Sequence, residues 1–374
     1  MLLSNARTVL LVMGVTFGGS NAMVECQELD PTLKLNQIQV IGTHNSYHAG
    51  IAPSEAKLWQ MKNPEVFYGL DYRHESLTRQ LSSGVRQIEL DIFADSAGGR
   101  FAHPMGPQMV AEAQLPPDPP FDPEGVMLKP GFKVMHVQDI DYRSVCQPFK
   151  ACLEEVRQWS HAHPDHIPVF ILIETKQSSQ EGPMQLTPAE PFTPQIFDAL
   201  DAEIRSVFAP EEMITPDDVR GDYKTLNEAV LAGKWPMLKR ARGKIVFLMD
   251  QRWAGPIYAQ GHPSLRGRVL FTNAVPGAPD AAFTEVNDGP ASEIARLVRQ
   301  GYLVRTRTDD STREARANDT KRRDAMIASG AQILSTDYPA SEPARWAGHY
   351  FVALPGNVAA RRNPVNAPEG RGTN

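Results

Sequence analysis

Residues 42–48 have the sequence Gly-Thr-His-Asn-Ser-Tyr-His and directly follow a short apolar run at residues 38–41. The run predicts a buried strand, which would deliver His44, Asn45 and Ser46 together at its end. An imidazole titrates near neutral pH, and a neutral amide oxygen is a suitable ligand for a hard cation. The structural alternative is a polar turn capped by Asn45 and Ser46. Polar residues elsewhere in the chain favour a functional site.

Carboxylates recur near the ends of two further apolar runs. Because side chains alternate along a strand, Glu89 and Asp91 point to one face of the first run. Glu174 and Lys176 share a face at the end of the second run by the same parity. Two carboxylates buried on one apolar face are costly, and a hard divalent cation would offset their charge. Ion pairs with Arg86 or Lys176 are the structural alternative.

Histidine and arginine side chains complete this set of polar residues. His136 ends a third apolar run, and with His44 it could form an acid–base pair that cleaves a phosphodiester. His103 is the rival for the second histidine, but a strand would hold His136 more rigidly. Arg305 and Arg307 share a face of a later run. Their guanidinium groups could bind phosphate oxygens, or they could pair with nearby carboxylates.

Eight short apolar runs separated by amphipathic segments predict eight β-strands. Most runs are rich in valine, isoleucine and leucine, as parallel strands buried on both faces are. This order favours a single-domain α/β fold, a (β/α)8 TIM-like barrel with long loops after strands 2 and 4. An open doubly wound sheet is the alternative, but its usual glycine-rich first turn is missing. The predicted strands span residues 37–43, 86–93, 132–137, 168–176, 244–250, 269–273, 303–308 and 332–337.

Composition places the chain among ordinary globular proteins. It has 374 residues, of which 41% are hydrophobic, and a formal net charge of −6. The mild acidity and the lack of a basic block argue against nucleic-acid binding. The length suits one large core, and we expect a monomer. Two long insertions, residues 95–131 and 176–234, could contact a lipid surface, although no amphipathic anchor is evident.

The two ends of the chain differ from the rest. Residues 1–23 combine Arg7, a short apolar core and a run of small residues, a pattern typical of an export signal. We therefore expect a secreted or periplasmic protein whose barrel spans residues 24–354. Residues 355–374 are rich in proline, asparagine, glycine and arginine, and we expect this tail to be disordered.

Cysteine spacing agrees with export. Cys146 and Cys152 are close enough in sequence to close a small loop, and an oxidising compartment predicts a disulfide between them. The alternative is two buried free thiols. Cys26 is left without an assigned role.

Several of these motifs together resemble one known family. The chain is similar to the secreted calcium-dependent phosphatidylinositol-specific phospholipase C-like family over roughly residues 36–340. The segments that carry the resemblance are GTHNSYH, LTRQLSSGVRQIELDIF, VMHVQDIDYRSVC, HPDHIPVFILIETK, VRTRTDD and ILSTDY.

The resemblance implies a TIM-like barrel, one bound Ca²⁺ and a phospholipid or small phosphodiester substrate. It implies that His44 and His136 are the acid–base pair and that Lys176 contacts the phosphate or the head group. An inositol hydroxyl would attack phosphorus and release a cyclic inositol phosphate and diacylglycerol. The implied calcium ligands are Asn45, Glu89, Asp91 and Glu174.

Two other functions remain as alternatives. A glycerophosphodiester phosphodiesterase would share the barrel, the metal and the histidines, but its first motif resembles His-Arg-Gly, whereas this chain has His44-Asn45-Ser46. A non-catalytic barrel that binds a head group would use the carboxylates as a structural calcium site.

Overall fold

The computed structural model describes residues 29–177 and 185–367. The predicted export signal at residues 1–23, Cys26 and the last residues of the predicted tail lie outside the described residues. Within the described ranges, none of the helices is both long and apolar enough to cross a bilayer.

The strands are β1 Ile38–Thr43, β2 Gln87–Phe93, β3 Lys133–Val134, β4 Val169–Thr175, β5 Ile245–Met249, β6 Phe283–Glu285, β7 Leu303–Arg307, β8 Ile333–Thr336 and β9 Ala360–Arg362. Seven parallel strands form a nearly closed barrel in the spatial order β5-β4-β2-β1-β8-β7-β6. The side chains of β1, β2 and β5 are buried along the whole strand, which explains why the sequence shows near-continuous apolar runs there. The predicted α/β barrel is confirmed.

The gap between β5 and β6 is spanned by residues 271–273 without a regular strand. Phe271 makes a single parallel bridge to Leu248, and Asn273 makes another to Phe283. The predicted strand at residues 269–273 is therefore present only as two isolated bridges. Sequence reasoning missed β6, because its three residues are too short to show a pattern.

The predicted third strand is not a strand of the parallel barrel. Only Lys133 and Val134 are in a strand, and β3 pairs antiparallel with the end of β2. The chain then forms a turn, which is closed by a hydrogen bond of 3.0 Å from the backbone N–H of Val137 to the carbonyl of Asp141. His136 consequently lies in a turn beside the end of β2 and not on a barrel strand.

Helices alternate with the strands, as a barrel of this type requires. The segment after β4, predicted as one long insertion to residue 234, holds three of them. The helices are α1 Pro53–Lys62, α2 Pro64–Leu70, α3 Leu77–Ser82, α4 Gly106–Glu112, α5 Phe149–Ala162, α6 Pro194–Val207, α7 Pro216–Arg220, α8 Leu226–Leu231, α9 Leu238–Ala241, α10 Gly255–Tyr258, α11 Ala291–Gln300, α12 Arg313–Ala317 and α13 Lys321–Ser329.

Part of the predicted tail is ordered. Strand β9 pairs antiparallel with β1, with Ala360 opposite Val40 and Arg362 opposite Ile38. Asn363 is fully buried, and its side chain donates to the carbonyl of Gly330 at 2.6 Å. The expectation of disorder is therefore wrong for residues 355–367. The backbone hydrogen bonds of this segment hold it in place despite its polar composition.

A disulfide joins Cys146 and Cys152, whose Cα atoms are 5.3 Å apart. Cys152 is buried in α5, and Cys146 lies in the segment that follows the turn at His136. The bridge therefore ties that segment to the first turns of α5.

Candidate active site

The predicted site residues lie at the carboxyl ends of the barrel strands. His44 and Asn45 follow β1, Glu89 and Asp91 lie on β2, and Glu174 lies on β4. Oxygen atoms of the three carboxylates lie within 4.8 Å of one another. The strand register explains this convergence, because Asp91 is directly opposite Glu174 in the β2–β4 pair.

His44 is positioned by contacts to both ring nitrogens. Its Nδ1 lies 2.8 Å from Asp337 Oδ1, and its Nε2 lies 3.3 Å from Arg307 Nη1 and 3.7 Å from Glu89 Oε1. Burial, with the positive charge of Arg307, lowers the pKa of His44 to about 3. The imidazole is therefore neutral at pH 7, as a general base must be.

Asn45 has a strained backbone and an unsatisfied amide oxygen. Its φ is +45°, in the left-handed region that non-glycine residues rarely adopt. Asn45 Nδ2 donates to the hydroxyl of Tyr72 at 2.8 Å, which turns Oδ1 the other way. The residue is fully buried, and Oδ1 has no hydrogen-bond partner among the described residues. A buried acceptor oxygen without a hydrogen-bond donor is suited to bind a cation.

The carboxylates carry strongly shifted pKa values. Burial raises the pKa of Glu89 to about 7, and burial together with Glu174 raises the pKa of Asp91. Lys176 Nζ lies 2.9 Å from Asp91 Oδ2 and 2.6 Å from Glu174 Oε1. Although burial opposes it, this ammonium group lowers the pKa of Glu174 to about 2. The single positive charge of Lys176 therefore neutralises only part of the acidic charge of the site.

These four residues fit a hard cation. The donor set consists of carboxylate and amide oxygens alone, which is the set that Ca²⁺ prefers. Asp91 Oδ1 and Asn45 Oδ1 are buried and accept no hydrogen bond from a described residue. A divalent cation would satisfy both acceptors and would favour the ionised form of Glu89, which burial disfavours.

His136 is held by a buried carboxylate that it shares with a second histidine. Its Nδ1 lies 2.8 Å from Asp141 Oδ2, and its side chain is 24% exposed. His48 Nε2 lies 2.8 Å from Asp141 Oδ1 and is fully buried. Burial disfavours the Asp141 carboxylate, but the two imidazoles outweigh it and hold the pKa of Asp141 below its usual value. The more exposed His136 is free to meet a ligand through Nε2.

His103 lies elsewhere, on the wall of a separate cavity of about 430 Å³. Glu55, Arg143, Phe121 and Leu128 also line this cavity. No carboxylate partner holds the exposed His103 ring among the described contacts, whereas Asp141 holds His136. The geometry favours His136 over its rival.

The two arginines of β7 have different environments. The guanidinium of Arg305 is buried, forms an ion pair with Glu89, and donates to Asn287 at 3.0 Å and Ser335 at 3.1 Å. Arg305 therefore pairs with carboxylates, which was the alternative to its predicted contact with phosphate. Arg307 is 16% exposed and adjoins the Nε2 atom of His44, where a phosphate could reach it.

Sequence reasoning did not assign the residues that orient the two histidines. Asp337 follows β8 and Asp141 lies in the turn after β3, so neither shares a strand with its histidine. Tyr72 was also missed, since it lies between helices in an irregular segment. A carboxylate at the carboxyl end of β8 was the one signal available for Asp337.

Comparison with known families agrees with this geometry. The profile of the family described as "Phosphoinositide phospholipase C, Ca2+-dependent" matches residues 33–364. The match includes every residue of the site described above. None of the curated protein sequences matches the chain.

Solved structures share the fold at low identity. The calcium-dependent phosphoinositol-specific phospholipase C of Pseudomonas sp. is 15% identical, with a TM-score of 0.56, and the match covers 89% of this chain and 98% of that one. The Ca²⁺-dependent enzyme of Streptomyces antibioticus is 20% identical, with a TM-score of 0.50, and covers 81% and 94%. These likenesses concern the barrel, whereas the family profile concerns the sequence. The chain therefore belongs to the Ca²⁺-dependent phosphoinositide phospholipase C family and is a phosphodiesterase.

Proposed function

We propose that this enzyme cleaves the phosphodiester between an inositol head group and diacylglycerol, with His44 as general base and His136 as general acid. One observation carries the proposal. A neutral imidazole and a cluster of three carboxylates face the same point, with His44 Nε2 only 3.7 Å from Glu89 Oε1. A base and a cation site in such contact suit the activation of a hydroxyl next to a phosphate.

The contacts of His44 support the role of general base. Asp337 is a carboxylate and accepts a hydrogen bond, so Nδ1 carries the proton and Nε2 presents its lone pair. Nε2 would remove the proton of the attacking hydroxyl. A phosphate bound at Arg307 would offset the positive charge that helps to hold the pKa of His44 down, and would make the ring more basic.

The cation site supports the same step. Asn45, Glu89, Asp91 and Glu174 would hold Ca²⁺, which stabilises charge on the phosphate oxygens and acidifies a bound hydroxyl. Lys176 now neutralises Asp91 and Glu174. We propose that a cation bound in the cluster would neutralise these two carboxylates in place of Lys176. The ammonium group would then be free to contact the phosphate or the head group.

His136 would complete the reaction. Asp141 holds its Nδ1, so a protonated ring would present Nε2–H to the leaving oxygen of diacylglycerol. We propose a cyclic inositol phosphate as the first product. The phospholipase C of Pseudomonas sp. with 16% identity was solved as a myo-inositol complex, which supports an inositol head group here.

The product distribution tests this proposal. We expect ³¹P NMR of phosphatidylinositol digests to show a cyclic inositol phosphate, with diacylglycerol in the lipid phase. Glycerophosphocholine serves as the comparison substrate. Release of glycerol phosphate without diacylglycerol would favour a glycerophosphodiester phosphodiesterase. Binding of inositol phosphate without turnover of either substrate would favour the non-catalytic barrel.

We also propose that the protein acts outside the cytoplasm, at a lipid surface. The disulfide between Cys146 and Cys152 supports an oxidising compartment. Large apolar side chains are exposed on segments that follow the carboxyl ends of strands, among them Met61 at 70%, Leu128 at 59% and Trp253 at 41%. That is the face on which a lipid substrate would meet the site.

The raised pKa of Glu89 predicts a calcium-dependent pH profile of stability. Its pKa of about 7 in the folded chain exceeds the ordinary value of 4.5, so folding favours the protonated form. This contribution is complete below the unfolded pKa and is lost as pH rises through about 7. Burial also raises the pKa of Asp309 to about 7. Asp309 therefore also makes stability fall with rising pH, but it does not contact the cation site.

We expect the thermal midpoint of the calcium-free protein to fall between about pH 5 and pH 8, and Ca²⁺ to reverse part of this fall. Thermal denaturation with EGTA and with Ca²⁺ at several pH values measures this effect. Glu89→Gln should reduce the calcium-dependent part and leave the parts due to Asp91 and Asp309. Equal stabilisation by Ca²⁺ at both ends of the range would contradict the assignment of Glu89.

A further inference from the structure

A buried histidine outside the proposed acid–base pair contacts the backbone of the site. His74 Nε2 lies 3.0 Å from the carbonyl oxygen of His44, and His74 Nδ1 lies 2.6 Å from Glu342 Oε2. The side chain of His74 is fully buried, and that of Glu342 is 13% exposed. The imidazole therefore bridges the loop after β8 and the loop after β1.

The chemistry of the two partners fixes the ring. A carbonyl oxygen can only accept, so His74 Nε2 must carry a hydrogen and donate it to the peptide of His44. Glu342 on the other nitrogen prevents the ring from rotating or flipping. The oxygen of the His44–Asn45 peptide consequently has one fixed donor.

The peptide that receives this hydrogen bond is the one under strain. It joins His44 to Asn45, whose φ of +45° lies in the left-handed region, which asparagine tolerates better than most residues but still at some cost in energy. The neighbouring Tyr72 accepts from Asn45 Nδ2 at 2.8 Å, and the backbone of His74 donates to the carbonyl of His48 at 2.9 Å. The segment of Tyr72 and His74 therefore holds both the peptide and the side chain of Asn45.

We propose that His74, oriented by Glu342, is a positioning residue that keeps the His44–Asn45 peptide in its strained conformation. The consequence is that the base and the amide ligand of the cation face the same point. Relaxation of this peptide would turn Asn45 Oδ1 away from the carboxylates and move the imidazole of His44. The inference rests on the proposed function, but its effect on cation binding does not require turnover.

Paired variants separate positioning from general stability. His74→Ala should weaken Ca²⁺ binding and lower kcat, each by about 10–100-fold, with little change in KM. Glu342→Ala should act in the same direction. Glu342→Gln should restore most of both, because an amide can donate to His74 Nδ1 while Nε2–H still donates to His44.

His166→Ala is the matched control. His166 is also buried, with ring nitrogens 2.7 Å from Ser160 Oγ and 2.7 Å from the carbonyl of Ile167, but it precedes β4 at the opposite end of the barrel. We expect it to lower the thermal midpoint and to leave the Kd for Ca²⁺ and kcat near the wild-type values.

Calorimetric titration with Ca²⁺, thermal denaturation and initial rates on phosphatidylinositol are measured for all four variants. If His74→Ala and Glu342→Ala lose only thermal stability, as His166→Ala does, the proposal is overturned. If His74→Ala does not fold, the contrast between Glu342→Ala and Glu342→Gln decides the question in the same way. Absence of turnover in the wild type would contradict the proposed function alone, because the Kd for Ca²⁺ still reports on the peptide.

Discussion

His44→Asn is expected to lower kcat on phosphatidylinositol by about 10²–10⁴-fold, the usual contribution of a positioned general base. Asparagine retains a polar side chain but cannot remove a proton. The substitution also removes the contact of Nε2 with Arg307 and the hydrogen bond to Asp337. We expect KM to change little, because Arg307, Lys176 and the cation site remain. Initial rates across a range of substrate concentrations measure both constants.

The two rival histidines supply the comparison for this experiment. His136→Asn should lower kcat to a similar extent, because Asp141 holds that ring as a general acid. His103→Asn should have no effect, since the exposed ring lines a separate cavity. A His44→Asn variant with more than about a tenth of wild-type kcat would contradict the role of base.

Removal of calcium is expected to abolish turnover, and readdition is expected to restore it. Loss of the charge that stabilises the phosphate oxygens should cost at least about 10³-fold in rate. Asp91→Asn should have the same effect in the presence of calcium, because it removes a negative charge and one of the two carboxylate oxygens of Asp91 from the cluster. Rates in EGTA, followed by titration with Ca²⁺, measure the dependence.

Asp288→Asn is the control for the carboxylate variant. Its side chain is 90% exposed and contacts Arg322 on the surface, so its removal should leave the rate unchanged. Full activity in EGTA, or an Asp91→Asn variant as active as Asp288→Asn, would contradict a metal-assisted mechanism.

The sequence was sufficient to predict the barrel and the convergence of the carboxylates. Parity along a strand placed Glu89 and Asp91 on one face, and parallel register then brought Glu174 directly beside Asp91. Long apolar runs revealed β2, β4 and β5 for the same reason, because these strands are buried on both faces.

Other features depend on contacts between segments that are distant in sequence. Asp337 reaches His44 across 293 positions, and no local pattern signals that pairing. Arg305 was open to two interpretations because only the folded chain shows Glu89 beside it. Strand β9 lies in a segment whose composition is typical of disorder. It is ordered by its pairing with β1 of the folded barrel, which no local pattern in the segment signals.

Isothermal titration of the purified protein with Ca²⁺ tests most directly whether Asn45, Glu89, Asp91 and Glu174 hold one cation. We predict a single site in the wild type, and loss of that site in the double variant Asp91→Asn/Glu174→Gln, with the fold retained by circular dichroism. A wild type that binds no Ca²⁺, or a double variant that binds it as tightly as the wild type, would contradict the account.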